Sequence, residues 1–280
     1  MKVFRTKDIG TVDLLYREIT GVTEQDLIER AAHAFVQAFI REEKKPGRVL
    51  VVAGPGNNGA DARSVARLLT ELGWQTDLWD FSEKDQVENQ LADWTGYLQN
   101  LPAGTVVIDG LFGSGLTRPV TDPYARIIEG INALDTTVYA VDIPSGLAGD
   151  GIPFTTGAVV KASATFTFQF PKLSFFFAEN YPYVGQWEVL DIGMGGMAYP
   201  EVDTPFRMTE ESDIHNLFPR KRHPFSFKNN YGHALLIAGS LGKMGAAILS
   251  ARSCLRVGTG LLTAHLPGRG EIPMQTSLPE

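Results

Sequence analysis

The sequence predicts an α/β fold, a mostly parallel sheet covered by helices on both faces in three layers. Three observations predict it. The runs "RVLVVA" (48–53), "TVVIDG" (105–110) and "TVYAVDIPSG" (137–146) begin with the unbroken apolar character of strands buried on both faces. Helical segments separate them through short connections, as in successive βαβ units. Three strands also run into polar, glycine-bearing loops, "GPGNNGAD", "DGLFGSGLTRP" and "DIPSGLAGD". In a doubly wound sheet, ligands collect beyond such strand ends.

The elements follow in order. "TEQDLIERAAHAFVQAFIREE" reads as the first long helix, with Thr23 and Asp26 in a capping-box pattern and Ile28, Ala31, Ala32, Phe35 and Phe39 on one face. After "RVLVVA", a helix carries Val65, Ala66, Leu69 and Leu72 inward and stops at Gly73. "WQTDLWD" is the next strand, and Val87, Leu91, Trp94 and Leu98 mark a third helix. A further helical stretch, Tyr124 to Leu134, joins "TVVIDG" to "TVYAVDIPSG". Beyond Pro153 the texture turns β-rich, with "KASATFTFQF" and "VGQWEVLDIG" as strands. Phe175-Phe176-Phe177 is read as packing at the end of the sheet rather than as a partner surface. Residues 196–224 read as a Pro-rich, acidic linker with a short helix, and "HALLIAG", a helix from Met244 and "GLLTAHL" form a fresh βαβ unit.

Composition narrows the function. A chain of 280 residues, 44% hydrophobic and 20% charged, suits a globular protein with a sizeable core. A net charge of −7 opposes nucleic-acid binding, and the single basic run Arg220-Lys221-Arg222-His223 reads as a solvated connector. One cysteine, Cys254, excludes an internal disulfide and sits in a helical run as a packed thiol. No membrane span or secretory signal is expected, which makes the expected location cytoplasmic.

The glycine-rich turn invites a dehydrogenase reading. Gly54, Gly56 and Gly59 spell G-x-G-x-x-G, and Asp77 and Asp80 lie near the spacing of a ribose-binding acid. Two amides, Asn57 and Asn58, occupy that turn where small or apolar residues are usual. No histidine stands at a strand end with an acidic neighbour; His33, His215, His223, His233 and His265 are scattered and offer no zinc spacing. The three loops suggest different chemistry. Asn58 offers an amide oxygen, Asp109 a carboxylate and Ser145 a hydroxyl, donor types that hold a hard cation beside a phosphate-bearing ligand. Each of these side chains can alternatively serve only its own turn.

"GPGNNGAD", "DGLFGSGL", "AVDIPSG", "VKASATFTFQFPK" and "VLDIG" occur in the order found in the YjeF N-terminal family, the NAD(P)H-hydrate epimerases, and the chain resembles that family over residues 1–205. The resemblance implies a Rossmann-like α/β/α domain that interconverts the R and S forms of hydrated nicotinamide dinucleotides, NADHX and NADPHX, at C6. It implies a substrate site of Asn57, Asn58, Gly59, Ala60 and Asp61, then Gly113, Ser114, Gly115, Leu116, Thr117, Arg118 and Pro119, then Asp142. It implies a potassium ion on Asn58, Asp109 and Ser145, and a homodimer or higher homo-oligomer. Ala60 and Ala62 stand where the family usually has glycine, and Ala60 would be strained if its position needs a positive φ. Asp142, at the end of a buried strand, is the expected proton-transfer residue, since desolvation favours a neutral carboxyl. Lys161 and Lys172 are secondary candidates for stabilising negative charge.

Residues 226–280, after a linker at 206–225, resemble the opening of the ADP-dependent NAD(P)H-hydrate dehydratase domain, which has a ribokinase-like fold. Gly239 to Gly242 is too short for a Walker A loop, and Met244 replaces its Ser or Thr. The expectation is a fragment of a bifunctional protein whose ADP- or ATP-dependent dehydratase activity is absent here. Two alternatives stand beside the epimerase: a binding module of the same fold without turnover, and an NAD-dependent dehydrogenase.

Overall fold

The computed structural model describes residues 1–154, 156–195, 202–217 and 222–279. The chain divides into two compact units, Met1–Met208 and Thr209–Glu280. The basic run falls partly outside the described residues, at Arg220 and Lys221, as does part of the expected linker.

The first unit is built on a six-stranded parallel sheet. Its chain order is β1 (Lys2–Val3), α1 (Thr6–Thr20), α2 (Glu24–Glu42), β2 (Arg48–Ala53), α3 (Asn57–Glu71), β3 (Gln75–Asp80), α4 (Val87–Gln99), β4 (Val106–Gly110), α5 (Tyr124–Asn132), β5 (Val138–Val141), β6 (Ala164–Phe168), α6 (Tyr181–Val184), β7 (Gln186–Leu190) and β8 (Phe206–Arg207). The sheet order is β3-β2-β4-β5-β6-β7, all neighbours parallel. "KASATFTFQF" and "VGQWEVLDIG" therefore extend the same sheet as β6 and β7. Phe206 and Arg207, read from the sequence as linker, pair with β1 in a small antiparallel ribbon.

Side-chain alternation along the strands makes the three layers. Val49, Val51 and Ala53 of β2 join Phe35, Phe39, Val65 and Leu69 of α2 and α3 in one core. Leu50 and Val52, facing the other way, join Leu91, Trp94, Ile127 and Ile131 of α4 and α5 in another. The α2 capping box forms as expected, with Asp26 N–H donating to Thr23 Oγ1 and Thr23 N–H to Asp26 Oδ2. Such a cap contributes about 1 kcal/mol. Leu72 departs from its expected inward position. It follows the last residue of α3, one step before the left-handed Gly73 turns the chain, and is left exposed.

Helix α1 is an element the sequence reading did not contain. Val12 and Tyr16 pack with Phe4, Phe170 and Met194 in a separate cluster. Phe4 meets Phe170 edge to face at 4.8 Å, Tyr16 Oη donates to the Gly193 carbonyl at 3.0 Å, and Thr6 N–H to Asp150 Oδ1 at 2.9 Å. These contacts tie α1 to the segments that follow β5, β6 and β7, along the carboxyl edge of the sheet.

The second unit holds α7 (Glu211–Leu217), β9 (His233–Ile237), α8 (Gly245–Val257), β10 (Leu261–His265) and α9 (Glu271–Ser277). β9 and β10 pair in parallel across α8, the expected βαβ unit. Cys254 lies in α8, partly buried, with Sγ 3.4 Å from Thr259 Oγ1. All five histidines are exposed. No helix among the described residues is long and apolar enough to cross a membrane.

Candidate functional site

The sheet changes direction of winding between β2 and β4: the chain leaves β2 for β3 on one side and returns to β4 on the other. Loops leaving a sheet at such a switch point open a crevice for ligands. A cavity of about 640 Å³ occupies this edge. Its lining includes Pro55, Gly56, Asn57, Asn58 and Asp61 after β2, Phe112 to Leu116 after β4, Asp142 after β5, and Lys172 after β6. Helix α1 closes it with Ile9, Asp13 and Arg17, and α2 adds Glu24 and Ile28.

The glycine turn is held by close backbone approach. A Cβ at Gly59 would overlap the Gly54 carbonyl, and one at Gly54 would overlap the Leu111 carbonyl. This packing brings the β2 and β4 loops together and starts α3 beside the cavity, where its unpaired N–H groups favour anionic groups. Ala60 lies within α3 with ordinary helical backbone, so the strain expected of it is absent; among the described residues the positive-φ non-glycine residues are Asp142 and Gln169. Ala62 is fully buried against the sheet. Neither Gly59 nor Ala60 lines the cavity, and Thr117, Arg118 and Pro119 lie outside its lining, whereas Gly113 to Leu116 are part of it.

Asp142 sits one residue past β5 at φ 62°. Aspartate tolerates this left-handed conformation better than most residues. Its Oδ1 accepts from Lys172 Nζ at 2.6 Å, Thr167 Oγ1 at 3.1 Å and Phe168 N–H at 3.1 Å. Lys172, one of the two secondary lysines, is only 2% exposed and also donates to Thr167 Oγ1 at 3.0 Å. Asp142 thus enters the cavity as an ion-paired carboxylate, a partnership not foreseen from the sequence. Lys161 is exposed and lies outside this cavity.

Two more carboxyls face the same space. Asp61 is 9% exposed and Asp13 partly buried, and neither side chain makes a hydrogen bond or ion pair among the described residues. Burial pushes the Asp61 carboxyl well above the usual carboxylate range, with the Asp142 and Asp13 charges adding to the effect. Burial likewise raises Asp13 to about 6, against the pull of Lys172. Asp13 was missed in the sequence because α1 was missed.

Behind the cavity wall lies a second polar cluster. Asp109 is fully buried on β4, and its carboxyl accepts from Ser145 Oγ at 2.6 Å, Ser145 N–H at 2.8 Å and Leu111 N–H at 3.2 Å. Ser145 Oγ in turn accepts from Phe112 N–H at 2.7 Å, and Asn58 Nδ2 donates to the Phe112 carbonyl at 2.9 Å. Asp109 and Ser145 are in direct contact, and Asn58, at the start of α3, is linked to them through the Phe112 backbone. The cluster sets a buried carboxyl beside amide, hydroxyl and carbonyl oxygens, the donor types that hard cations take. Burial raises Asp109 to about 6, opposed by the bonds from Ser145. Asp77 and Asp80 lie outside the cavity. They pair with Arg48 at 2.8 Å and Arg63 at 3.2 Å and are not free to hold a ribose.

Comparison with known proteins bears on this arrangement. Residues 24–174, more than half of the chain, match the family described as YjeF-related protein N-terminus. The chain belongs to this YjeF-related family. Relatives include the bifunctional NAD(P)H-hydrate repair enzymes Nnr of Coxiella burnetii, 32% identical over 95% of this chain and 57% of the relative, and of Thermofilum pendens, 32% identical over 93% and 52%. The Escherichia coli counterpart is 28% identical over 99% of this chain and 56% of its own length. The chain thus spans about half the length of the curated relatives it matches. A crystal structure of yeast ynu0 (YNL200c) superposes with a TM-score of 0.53 at 25% identity, over 68% of this chain and 87% of the yeast chain. The fold is accordingly the Rossmann-like one of the family.

Proposed function

We propose that residues 1–205 are an NAD(P)H-hydrate epimerase domain acting on NADHX or NADPHX, with residues 226–280 as the beginning of a dehydratase domain. The observation that carries the reading is the Asp142–Lys172 pair at 2.6 Å, set beyond the ends of β5 and β6 inside a cavity that also receives the start of α3. Membership of the YjeF-related family and the names of the bifunctional repair enzymes supply the substrate class.

Epimerisation at C6 requires the ring oxygen substituent to leave and return on the other face, with proton transfer to and from oxygen. Asp142, already paired with an ammonium, is the carboxylate that takes the proton. Lys172 fixes the position of that carboxylate and balances its charge. Asn57, Asn58 and Asp61 from α3 and the loop from Gly113 hold the nucleotide, and the N-terminus of α3 favours its phosphates. Asn58, Asp109 and Ser145 would hold potassium, which supplies a positive charge beside the substrate's phosphate-bearing part. The ADP-dependent dehydratase step belongs, in this reading, to a longer parent protein.

The test is to incubate the purified chain with separated (R)-NADHX, with and without potassium, and to follow the S epimer by chromatography. Exchange above the spontaneous background, and its loss in Asp142→Asn, is the expected result. Ligand binding without exchange would replace the enzyme with a binding module.

A further inference from the structure

Inversion through departure and return of an oxygen needs a proton donor on the leaving face and an acceptor on the returning face. Asp142 supplies one such group, and its Oδ1 is already engaged by three donors. The cavity holds a second carboxyl carried by a different element. Asp61 lies on α3, is nine-tenths buried, lines the cavity and makes no side-chain hydrogen bond or ion pair among the described residues. A buried carboxyl without a partner is costly as an anion and is most stable neutral.

We propose that Asp61 is the second proton-transfer residue of this cavity, the neutral acid that protonates the departing C6 oxygen while the Asp142 carboxylate accepts a proton from the returning water. The role rests on the epimerase reading above and adds to it.

The step balances without an oxidant or reductant. The Asp61 O–H bond breaks and its proton moves to the C6 hydroxyl. The C6–O bond then breaks with its electron pair leaving as water, and the ring nitrogen lone pair forms a double bond to C6. Water adds to the opposite face, the C=N pair returns to nitrogen, and Asp142 takes the proton released. The product complex carries its proton on Asp142 rather than Asp61, which is the form required for reaction in reverse.

Environment splits the two carboxyls into these roles. Asp142 has Lys172 beside it, whereas Asp61 has burial and two acidic neighbours against its ionisation. The charged groups around the cavity are Asp13 and Arg17 of α1, Glu24 of α2, Arg63 on α3 itself, Lys84 after β3, and Asp142 with Lys172. Lys172 and Arg63 oppose the upward shift of Asp61 without cancelling it.

The experiment uses the full chain and its Asp61→Asn and Asp61→Glu variants, with melting temperatures to verify folding. Steady-state exchange of (R)-NADHX is measured from pH 5 to 9. Asp61→Asn is expected to lower kcat about 100-fold or more, beyond any change in KM from its place in the nucleotide site, and Asp61→Glu to recover part of kcat. The wild-type kcat should fall at high pH as Asp61 ionises, and the residual rate of Asp61→Asn should lack that limb. A carboxyl carbon NMR titration of the folded wild type should show one aspartate titrating well above the usual carboxylate range, absent in Asp61→Asn. A wild-type chain that epimerises while Asp61→Asn keeps its full kcat, or loses only KM, overturns this role and leaves the epimerase standing. A wild-type chain with no exchange overturns the epimerase reading and this role with it.

Discussion

Lys172 presents its ammonium to Asp142 from a position that is almost fully enclosed. Breaking a buried pair by removing one partner strands the other, at a cost on the order of 3 kcal/mol. Lys172→Met is therefore expected to lower the melting temperature as well as activity, and a urea titration of the variant measures the first effect apart from the second. Asp13 gives a prediction of opposite sign. Its carboxyl is raised from an ordinary 3.8 to about 6, so the folded chain holds a proton that the unfolded chain releases. Below about pH 4 this group costs nothing, between 4 and 6 the cost accrues, and above 6 it is complete. Asp13→Asn removes that cost. It should stabilise the chain by about 3 kcal/mol at pH 8 and change little at pH 4, which denaturant melts at the two pH values will show. A variant no more stable than wild type at pH 8 would mean that the Asp13 carboxyl is solvated after all.

At the scale of elements, the start of α3 depends on backbone packed against backbone. Gly59→Ala places a methyl group on the Gly54 carbonyl, and no flexible side chain can yield to it. The expected result is a loss of about 2–4 kcal/mol, or a displaced α3 with weakened nucleotide binding, measured by thermal melts and by titration with NADH as a probe. Gly56→Ala is the control for the melts alone, since a Cβ there meets no protein atom at an extended backbone but Gly56 lines the cavity. How much was legible in the sequence also divides by element. The β2–α3 unit, α2 with its cap, and the loops after β4 and β5 were readable because their signals are local: unbroken apolar strands, a 3.6-residue period and glycine spacing. Helix α1 was not. Its inward residues, Val12 and Tyr16, are few, its N-cap residue Arg5 makes no side-chain cap, and its partners Phe170 and Met194 lie more than 150 residues away in sequence. The Asp142–Lys172 pair was hidden for a similar reason. Thirty residues separate the two, and only the register of β5 against β6 brings the segment after β6 beside the end of β5.

At the scale of the whole molecule, the cavity belongs to one unit, whereas exposed large apolar side chains occur in both. Every residue lining the cavity lies between Ile9 and Met194, inside the unit Met1–Met208. Among its described residues, the unit Thr209–Glu280 buries a small cluster around Met244, Ala247, Ala251 and Met274. It leaves Leu235 and Ile237 of β9, Leu249 and Val257 of α8 and Ile272 of α9 exposed. Large apolar side chains at this density favour association with other apolar surface. A chain ending at Met208 should therefore keep the R/S exchange rate of the 280-residue chain within about twofold, because no cavity residue is removed and the core of the first unit is intact. The same shortening should reduce concentration-dependent self-association, since it removes those five side chains. Sedimentation velocity over a range of concentrations, run beside the exchange assay, tests both parts. A shortened chain that folds yet loses exchange would place part of the working site in the second unit. One that associates as strongly as the full chain would assign self-association to the first unit, where Phe176, Phe177 and Tyr181 are the exposed aromatic residues at the end of the sheet.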